Sequence, residues 1–186
     1  MTTRRDFLKT MTMASAGLAL GTGDLLGAPI SVSQRKAAAD KVKIAYVGIG
    51  NRGEQIIGDF ARTGMVEVVA LCDVDMGALH TQKVMNMYPK AKRFRDFRQM
   101  FDKAGNDFDA VAIATPDHSH FPITMLALAS GKHVYVEKPL ARTFYEAELL
   151  MQAALKRPNL VTQVGNQGHS EANYFQFKAW MDAGII

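Results

Sequence analysis

Three glycines with the spacing G-x-G-x-x-G are the first residues along the chain whose pattern could serve chemistry. Gly48, Gly50 and Gly53 follow a short apolar run and precede a segment of helical periodicity. Between a strand and a helix, the first glycine permits a tight turn, the second lets the backbone approach a pyrophosphate, and the third lets the helix pack on the strand. The N-terminus of that helix would attract the phosphates. The motif predicts a dinucleotide-binding loop that includes Asn51 and Arg52; a glycine-rich turn without a ligand is the alternative.

Asp73 lies twenty residues after the last of these glycines, at the end of a second apolar run. A carboxylate at this position can accept hydrogen bonds from the adenosine ribose and would repel the 2′-phosphate of NADP, so the sequence favours NAD. Two alternatives stay open. Asp73 could instead cap the following helix, and Arg52 and Arg62 could offset a 2′-phosphate, which would permit NADP.

A polar segment from Thr115 to His120 follows a third apolar run. It would lie at the carboxyl edge of the sheet, where open α/β sheets bind ligands. His118 and His120, together with Asp117, could suggest a metal site, but no third convincing ligand lies nearby in sequence and we predict no metal. Thr115 or Asp117 could also simply cap the next helix.

Glu137 and Lys138 follow a fourth apolar run at its carboxyl end. A lysine held there could hydrogen-bond a substrate hydroxyl and polarise it during hydride transfer. A surface ion pair is the alternative.

The segments that must position these residues alternate between short β-branched runs and longer stretches of helical periodicity. We predict strands at Val42–Val47, Val66–Leu71, Ala110–Ala114, His133–Val136 and Leu160–Val164, with a short extra strand near Lys92–Phe94. We predict helices at Arg52–Thr63, Met76–Met87, Asp96–Ala104, Phe121–Ser130, Phe144–Leu155 and Glu171–Ala183. This alternation implies right-handed βαβ crossovers and a doubly wound α/β fold, with a mostly parallel sheet covered on both faces.

The charge and cysteine content exclude several classes of protein. The chain of 186 residues has a net charge of +4, but residues 1–39 hold five basic and two acidic side chains, which leaves +1 for the remainder. No basic stripe remains, so we predict no nucleic-acid partner. Cys72 is the single cysteine, which excludes an intramolecular disulfide and a cysteine-rich zinc site, and its apolar neighbours predict a buried strand position.

Residues 1–39 resemble a twin-arginine export signal followed by a linker. Arg4 and Arg5 precede Phe7-Leu8-Lys9 and a weakly apolar, glycine-containing stretch. The resemblance predicts the twin-arginine export machinery as a partner and a periplasmic or otherwise exported location. A membrane-spanning or amphipathic N-terminal helix is the alternative, although the stretch is marginal in length for a bilayer, and an uncleaved anchor stays open.

Taken together, the motifs resemble the glucose-fructose oxidoreductase and inositol dehydrogenase family, Gfo/Idh/MocA. The residues that carry the resemblance are the Gly48–Gly53 loop, Cys72-Asp73, Thr115-Pro116 with His120, Gly131–Val134, and Glu137-Lys138-Pro139 with Ala141. The resemblance implies an NAD(P)-binding Rossmann domain at residues 40–165. It also implies that residues 166–186 begin the connection to a C-terminal α/β substrate domain that this chain lacks.

The resemblance also implies roles for individual residues and an activity. Lys138 would be the substrate-polarising catalytic residue with the catalytic His120 close by, Thr115 and Pro116 would lie at the nicotinamide pocket, Glu137 near the nicotinamide ribose, and Asn166 near the nicotinamide or substrate. The implied activity is an NAD(P)-dependent oxidation or reduction of a hydroxyl on a sugar, cyclitol or related polyol, by a protein that forms homo-oligomers at full length. A redox-assisted glycosidase and a dinucleotide-binding module without turnover are the alternatives.

Overall fold

A computed structural model describes residues 41–169 and 171–186 of the chain. The predicted export signal and linker at residues 1–39 lie outside these ranges. The strands are β1 (Val42–Val47), β2 (Val66–Cys72), β3 (Lys92–Phe94), β4 (Ala110–Ile113), β5 (His133–Glu137) and β6 (Thr162–Gly165). The α-helices are α1 (Arg52–Arg62), α2 (Leu79–Met87), α3 (Phe97–Ala104), α4 (His120–Ala129), α5 (Phe144–Leu155) and α6 (Ala172–Asp182).

The six strands form one parallel sheet in the order β3-β2-β1-β4-β5-β6. The chain winds outward from β1 in one direction through β3, then returns to the other side of β1 and winds outward through β6. The prediction of a doubly wound α/β fold is confirmed. Because Val47 pairs with both Cys72 and Ile113, the loops that follow β1, β2 and β4 begin side by side, where ligands of such sheets bind.

The core has two parts, which use alternate residues of the strands. Ile44 and Tyr46 of β1 belong to one buried cluster, whereas Ala45 and Val47 belong to the other. Since successive side chains of a strand point to opposite faces of the sheet, the two clusters cover its two faces. Helices α1 and α2 contribute to the first cluster, and α3, α4 and α5 to the second.

Two predicted element boundaries differ from the structure by more than one residue, and local hydrogen bonds explain both. Helix α2 begins at Leu79 rather than Met76 because the preceding residues form a turn, in which Ala78 donates its amide to the carbonyl of Asp75 and the Thr81 hydroxyl donates to that same oxygen. Strand β6 begins at Thr162 rather than Leu160, since the Leu160 amide bonds back to Arg157 in a turn. No helix within the described ranges is both long and apolar enough to span a bilayer.

Candidate functional site

Two adjoining cavities lie at the carboxyl edge of the sheet. The larger, of about 670 Å³, is bounded by the loops that follow β1, β2, β3 and β4. The smaller, of about 320 Å³, lies against the loops that follow β4, β5 and β6, and shares Arg52, Ala114 and Thr115 with the first. The predicted site residues that line one or both cavities are Gly48, Gly50, Asn51, Arg52, Asp73, Thr115, Pro116, His120, Glu137 and Lys138. The structure therefore brings ten of the twelve predicted site residues to one edge of the sheet.

The glycine-rich loop after β1 has no room for side chains at two of its glycines. Gly48 has a φ of +81°, and a Cβ there would lie 2.5 Å from the Ala114 carbonyl oxygen. A Cβ on Gly53, in the first turn of α1, would overlap the carbonyl oxygen of Gly48. Gly53 lines neither cavity, so its contribution is the close packing of α1 against the loop.

The same loop presents unpaired N–H groups at the start of α1. Within the described residues, the amides of Gly50 and Asn51 donate no hydrogen bond, and no side chain caps the helix N-terminus. Asn51 itself has a positive φ of 44°. Free amides at a helix N-terminus form a site for an anionic group such as a pyrophosphate.

Asp73 ties the loop after β2 to the glycine-rich loop. One carboxylate oxygen accepts the Ile49 amide at 3.0 Å, and the other accepts the Asp75 amide at 2.9 Å. Asp73 does not cap α2, whose N-cap residue is Ala78. A carboxylate can accept about four hydrogen bonds, so Asp73 retains acceptor capacity on the cleft side for ribose hydroxyls.

The two arginines that the sequence suggested for a 2′-phosphate each form an ion pair with a carboxylate of this chain. Arg52 pairs with Glu137 at 3.0 Å, and Arg62 pairs with Asp59 within α1. Besides Arg52 and His118, the basic side chains that line the larger cavity with Asp73 are those of His80, Arg95 and Arg98. Sequence reasoning missed them because no motif marks them; their one signal is that the two arginines follow the short strand β3 at the carboxyl edge.

Glu137, at the end of β5, is the centre of a buried polar cluster. It is 5% exposed, and its Oε1 accepts hydrogen bonds from Arg52 and from the Tyr135 hydroxyl, each at 3.0 Å. The hydrogen bond with Glu137 raises the pKa of Arg52, while burial and then the bond with Glu137 raise the pKa of Tyr135. A Cβ on Gly165 would lie 2.5 Å from the same carboxylate oxygen. The alternative of a surface ion pair does not describe Glu137, whose side chain is 6% exposed and whose partner is Arg52 in a part-buried contact.

Lys138 and His120 lie at the smaller cavity in contrasting environments. Lys138 is exposed and makes no hydrogen bond or ion pair with any described residue. His120 is 1% exposed, with Nδ1 2.6 Å from the Pro139 carbonyl oxygen and Nε2 2.8 Å from the Thr115 carbonyl oxygen. Lys138 is therefore available to a ligand, whereas both ring nitrogens of His120 are engaged by the backbone.

Two buried polar atoms at the cavities have no hydrogen-bond partner among the described residues. They are Thr115 Oγ1 and Arg52 Nε. An unsatisfied buried polar group costs about 1–3 kcal/mol, so such atoms at a cavity indicate where a ligand's polar groups would bind. Together with the bare glycine backbone and the free amides, they fit a dinucleotide.

The remaining predictions for this region have mixed outcomes. Asn166 is exposed after β6 and lines neither cavity, whereas its neighbour Gln167 lines the smaller one. Neither Thr115 nor Asp117 caps α4, whose N-cap residue is Ser119. Cys72 is buried at the end of β2 as predicted. The described residues include no cluster of three or more His, Cys, Asp or Glu side chains that could hold a metal ion.

A doubly wound parallel sheet with a bare glycine loop at its switch point and a carboxylate after β2 defines a dinucleotide-binding domain. Residues 42–165 match the family model of the Gfo/Idh/MocA oxidoreductases, described as an oxidoreductase family with an NAD-binding Rossmann fold. The chain belongs to this family, and its dinucleotide-binding domain is the family's NAD-binding Rossmann fold.

Relatives of known name share both sequence and fold with the chain. It is 32% identical over 167 residues to a glycosyl hydrolase family 109 protein of Shewanella pealeana, covering 81% of this chain and 36% of that protein. It is 31% identical over 147 residues to an inositol 2-dehydrogenase of Salmonella typhimurium, covering 78% of this chain and 43% of that protein. A crystal structure of scyllo-inositol dehydrogenase from Lactobacillus casei, with bound NAD(H) and scyllo-inositol, matches with a TM-score of 0.67 at 28% identity, covering 79% of this chain and 42% of that one. The chain thus spans about two fifths of the length of these relatives.

Proposed function

We propose that this chain is the NAD-binding part of an exported oxidoreductase that transfers a hydride between nicotinamide and a hydroxyl-bearing carbon of a sugar, cyclitol or related polyol. The observation that carries the proposal is the unpartnered ammonium group of Lys138 at a cavity that adjoins the dinucleotide cleft. A cation in that place can bind a substrate hydroxyl oxygen and stabilise negative charge as the hydroxyl loses its proton.

In this proposal, NAD bound in the larger cavity supplies the hydride acceptor or donor. The residues of this chain hold and orient the reactants. The Gly50 and Asn51 amides bind the pyrophosphate, Asp73 binds the adenosine ribose, and Glu137 keeps Arg52 at the junction of the two cavities. Lys138 Nζ hydrogen-bonds the substrate hydroxyl.

The substrate class rests on the relatives and on a second domain that the proposal requires. Inositol dehydrogenases are among the relatives, and the described cavities leave Lys138 exposed on one side. We propose that a C-terminal substrate domain covers this side in the full-length protein, supplies further proton-transfer groups, and contributes to a homo-oligomer.

The test is NAD reduction by the purified full-length protein with a panel of cyclitols and aldoses, and NADH oxidation with their oxidised counterparts, both followed by NADH absorbance. Lys138→Met should lower turnover by about 10²–10⁴-fold, the range for loss of a proton-transfer group, and leave NAD affinity unchanged. Lys103→Met is the matched control, because Lys103 is an exposed lysine of α3 that lines neither cavity, and it should behave as wild type. Equal turnover by the two variants would refute the role of Lys138, and no reduction with any polyol would refute the substrate class.

A redox-assisted glycosidase is the second candidate, supported by the glycosyl hydrolase family 109 relative. In such a reaction, oxidation of a sugar hydroxyl by bound NAD acidifies a neighbouring C–H bond. Loss of that proton expels the aglycone, water adds to the resulting double bond, and the hydride is returned to the carbonyl. The same cleft and Lys138 would serve this chemistry. Release of an aglycone without net NADH would favour the glycosidase over the dehydrogenase.

Export by the twin-arginine route is proposed from Arg4-Arg5 and the apolar stretch that follows them. Because that route carries folded proteins, the cofactor would be captured before export. A reporter protein fused behind residues 1–39 should reach the periplasm, and replacing both arginines by lysine should retain it in the cytoplasm. Export of the lysine variant at the wild-type rate would contradict the proposal, and a reporter that stays in the membrane fraction would indicate an uncleaved anchor.

A further inference from the structure

The loops after β4 and β5 line two sides of the smaller cavity, and the side chain of His120 connects the two loops. The strands themselves pair in register up to Ile113 and Val136. Beyond these residues, no backbone hydrogen bond within the described ranges links residues 114–119 to residues 137–141. The link is the imidazole of His120, whose nitrogens lie 2.8 Å from the Thr115 carbonyl oxygen and 2.6 Å from that of Pro139.

Its surroundings make His120 unsuited to exchange a proton with a substrate. The side chain is 1% exposed, and each ring nitrogen faces a carbonyl oxygen, which is an acceptor only. A neutral imidazole can donate to one of these oxygens and a protonated one to both. In either state, no nitrogen is left to contact a reacting atom, as a general base must.

The two carbonyl groups belong to residues that matter for the cavity. Pro139 directly follows Lys138, and the Thr115 side chain carries one of the buried hydroxyl oxygens that lack a partner. Movement of one loop relative to the other would change the distance between Lys138 and the groups that face the nicotinamide end of the cleft. A displacement of about 1 Å in such a site can cost about 10²-fold in rate.

We infer that His120 is a positioning residue that clamps the loop after β5 to the loop after β4, and so sets the width of the nicotinamide end of the site. The inference gives His120 a different role from the catalytic one that the family resemblance implied, and its cofactor readout rests on the proposed function. The groups assigned to the pyrophosphate and the adenosine ribose lie in the loops after β1 and β2, which this clamp does not join.

The test compares variants of His120 in the whole chain with two readouts. One is the affinity for NAD relative to ADP-ribose, which lacks the nicotinamide ring. The other is hydrogen exchange of the amides in residues 114–119 and 137–141. His120→Leu removes both contacts at similar volume, and His120→Gln keeps a single amide donor group. Leu128→Ala is the control, because Leu128 is buried in the same helix, 1% exposed, and lines neither cavity of the site.

His120→Leu should bind NAD about tenfold more weakly, which corresponds to losing the free energy of about one hydrogen bond. Its affinity for ADP-ribose should be unchanged. Exchange in both loops should accelerate about tenfold, His120→Gln should be intermediate in both readouts, and Leu128→Ala should change neither the affinity ratio nor the exchange in these loops. An unchanged affinity ratio and unchanged exchange in His120→Leu would overturn the inference. If wild-type protein binds neither ligand, the proposed function fails, and hydrogen exchange alone still decides whether the clamp exists. Should His120→Leu not fold, the same comparison is made with His120→Gln.

Discussion

At the scale of single residues, Gly53 and Gly58 show how strongly the site constrains the helix that begins in it. Both lie in α1, but a Cβ on Gly53 would overlap the Gly48 carbonyl oxygen, whereas the nearest atom to a Cβ on Gly58 is the Arg62 guanidinium nitrogen at 4.0 Å. The first position therefore requires glycine and the second merely tolerates it.

Substituting alanine at these two glycines should change the free energy of unfolding in opposite directions. Gly53→Ala should lower it by about 2–3 kcal/mol, since backbone must move to relieve the overlap. Gly58→Ala should raise it by about 0.5–1 kcal/mol, because alanine loses less conformational entropy in a helix. Urea unfolding followed by circular dichroism measures both. Shifts of the same sign would show that α1 is not held against the loop as described.

The side chains of Arg52 and Glu137 should be energetically coupled in their effect on stability, because the Glu137 side chain is only 6% exposed. Arg52→Met should cost about 3–5 kcal/mol by leaving a buried carboxylate without its cation, and much of that loss should disappear in the double variant with Glu137→Gln. A double-mutant cycle of unfolding free energies measures the coupling. The exposed pair of Lys92 and Asp107 is the control and should couple more weakly; equal coupling in the two cycles would contradict the burial assigned to Glu137.

At the scale of elements, helix α5 begins with a capping box that the sequence analysis did not use, although the predicted helix bounds were right. The Thr143 hydroxyl accepts the Glu146 amide at 3.2 Å, and the Glu146 carboxylate accepts the Thr143 amide at 3.2 Å. These reciprocal bonds pair two backbone amides that would otherwise lack partners at the helix end.

Thr143→Ala should therefore lower the free energy of unfolding by about 1 kcal/mol, the usual effect of losing an N-cap. Thr143→Ser keeps the hydroxyl and should stay close to wild type. Chemical denaturation of the three proteins tests this. A serine variant as unstable as the alanine variant would mean that the methyl group, rather than the hydroxyl, provides the stability.

The buried thiol of Cys72, at the end of strand β2, should make the stability of the protein sensitive to alkali. Burial, with smaller contributions from Asp73 and Asp96, raises the pKa of its thiol from an ordinary 9.0 to about 12. The unfolded chain therefore loses this proton at lower pH than the folded one, so the contribution to stability is complete below pH 9 and is lost as the pH rises towards 12. For this one group the slope is at most about 1.4 kcal/mol per pH unit.

Cys72→Ala should flatten the fall of unfolding free energy above pH 9, measured by urea unfolding at a series of pH values. The part of the fall due to Tyr46 and Tyr135 should remain, because burial raises the pKa of both hydroxyls. The same alkaline slope in wild type and variant would contradict the assignment of this slope to Cys72.

At the scale of the whole molecule, the sequence pattern was sufficient to predict the order of the elements and the edge of the sheet at which the two cavities lie. Apolar periodicity reports which segments are strands or helices, and parallel strands bring their carboxyl ends to one edge. The same pattern does not report which side chains contact each other when they lie far apart in the sequence. It could not show that Arg52 reaches Glu137, 85 residues later, that His120 spans two loops, or that Arg95 faces the cleft.

In our proposal, cofactor binding and substrate turnover require different parts of the full-length protein. The described residues form the cofactor cleft and present Lys138, but the chain spans only about two fifths of its dehydrogenase relatives. NAD binding is accordingly a property that this chain should show by itself, whereas polyol turnover depends on the full-length protein in our proposal.

The most direct test of this account is isothermal titration of the 186-residue chain with NAD and with NADP, after circular dichroism has shown it to be folded. The account predicts one NAD per chain and NADP affinity weaker by at least about tenfold, since the Asp73 carboxylate repels a 2′-phosphate. A folded chain that binds neither dinucleotide would contradict the assignment of the cleft, and tighter binding of NADP would contradict the role given to Asp73.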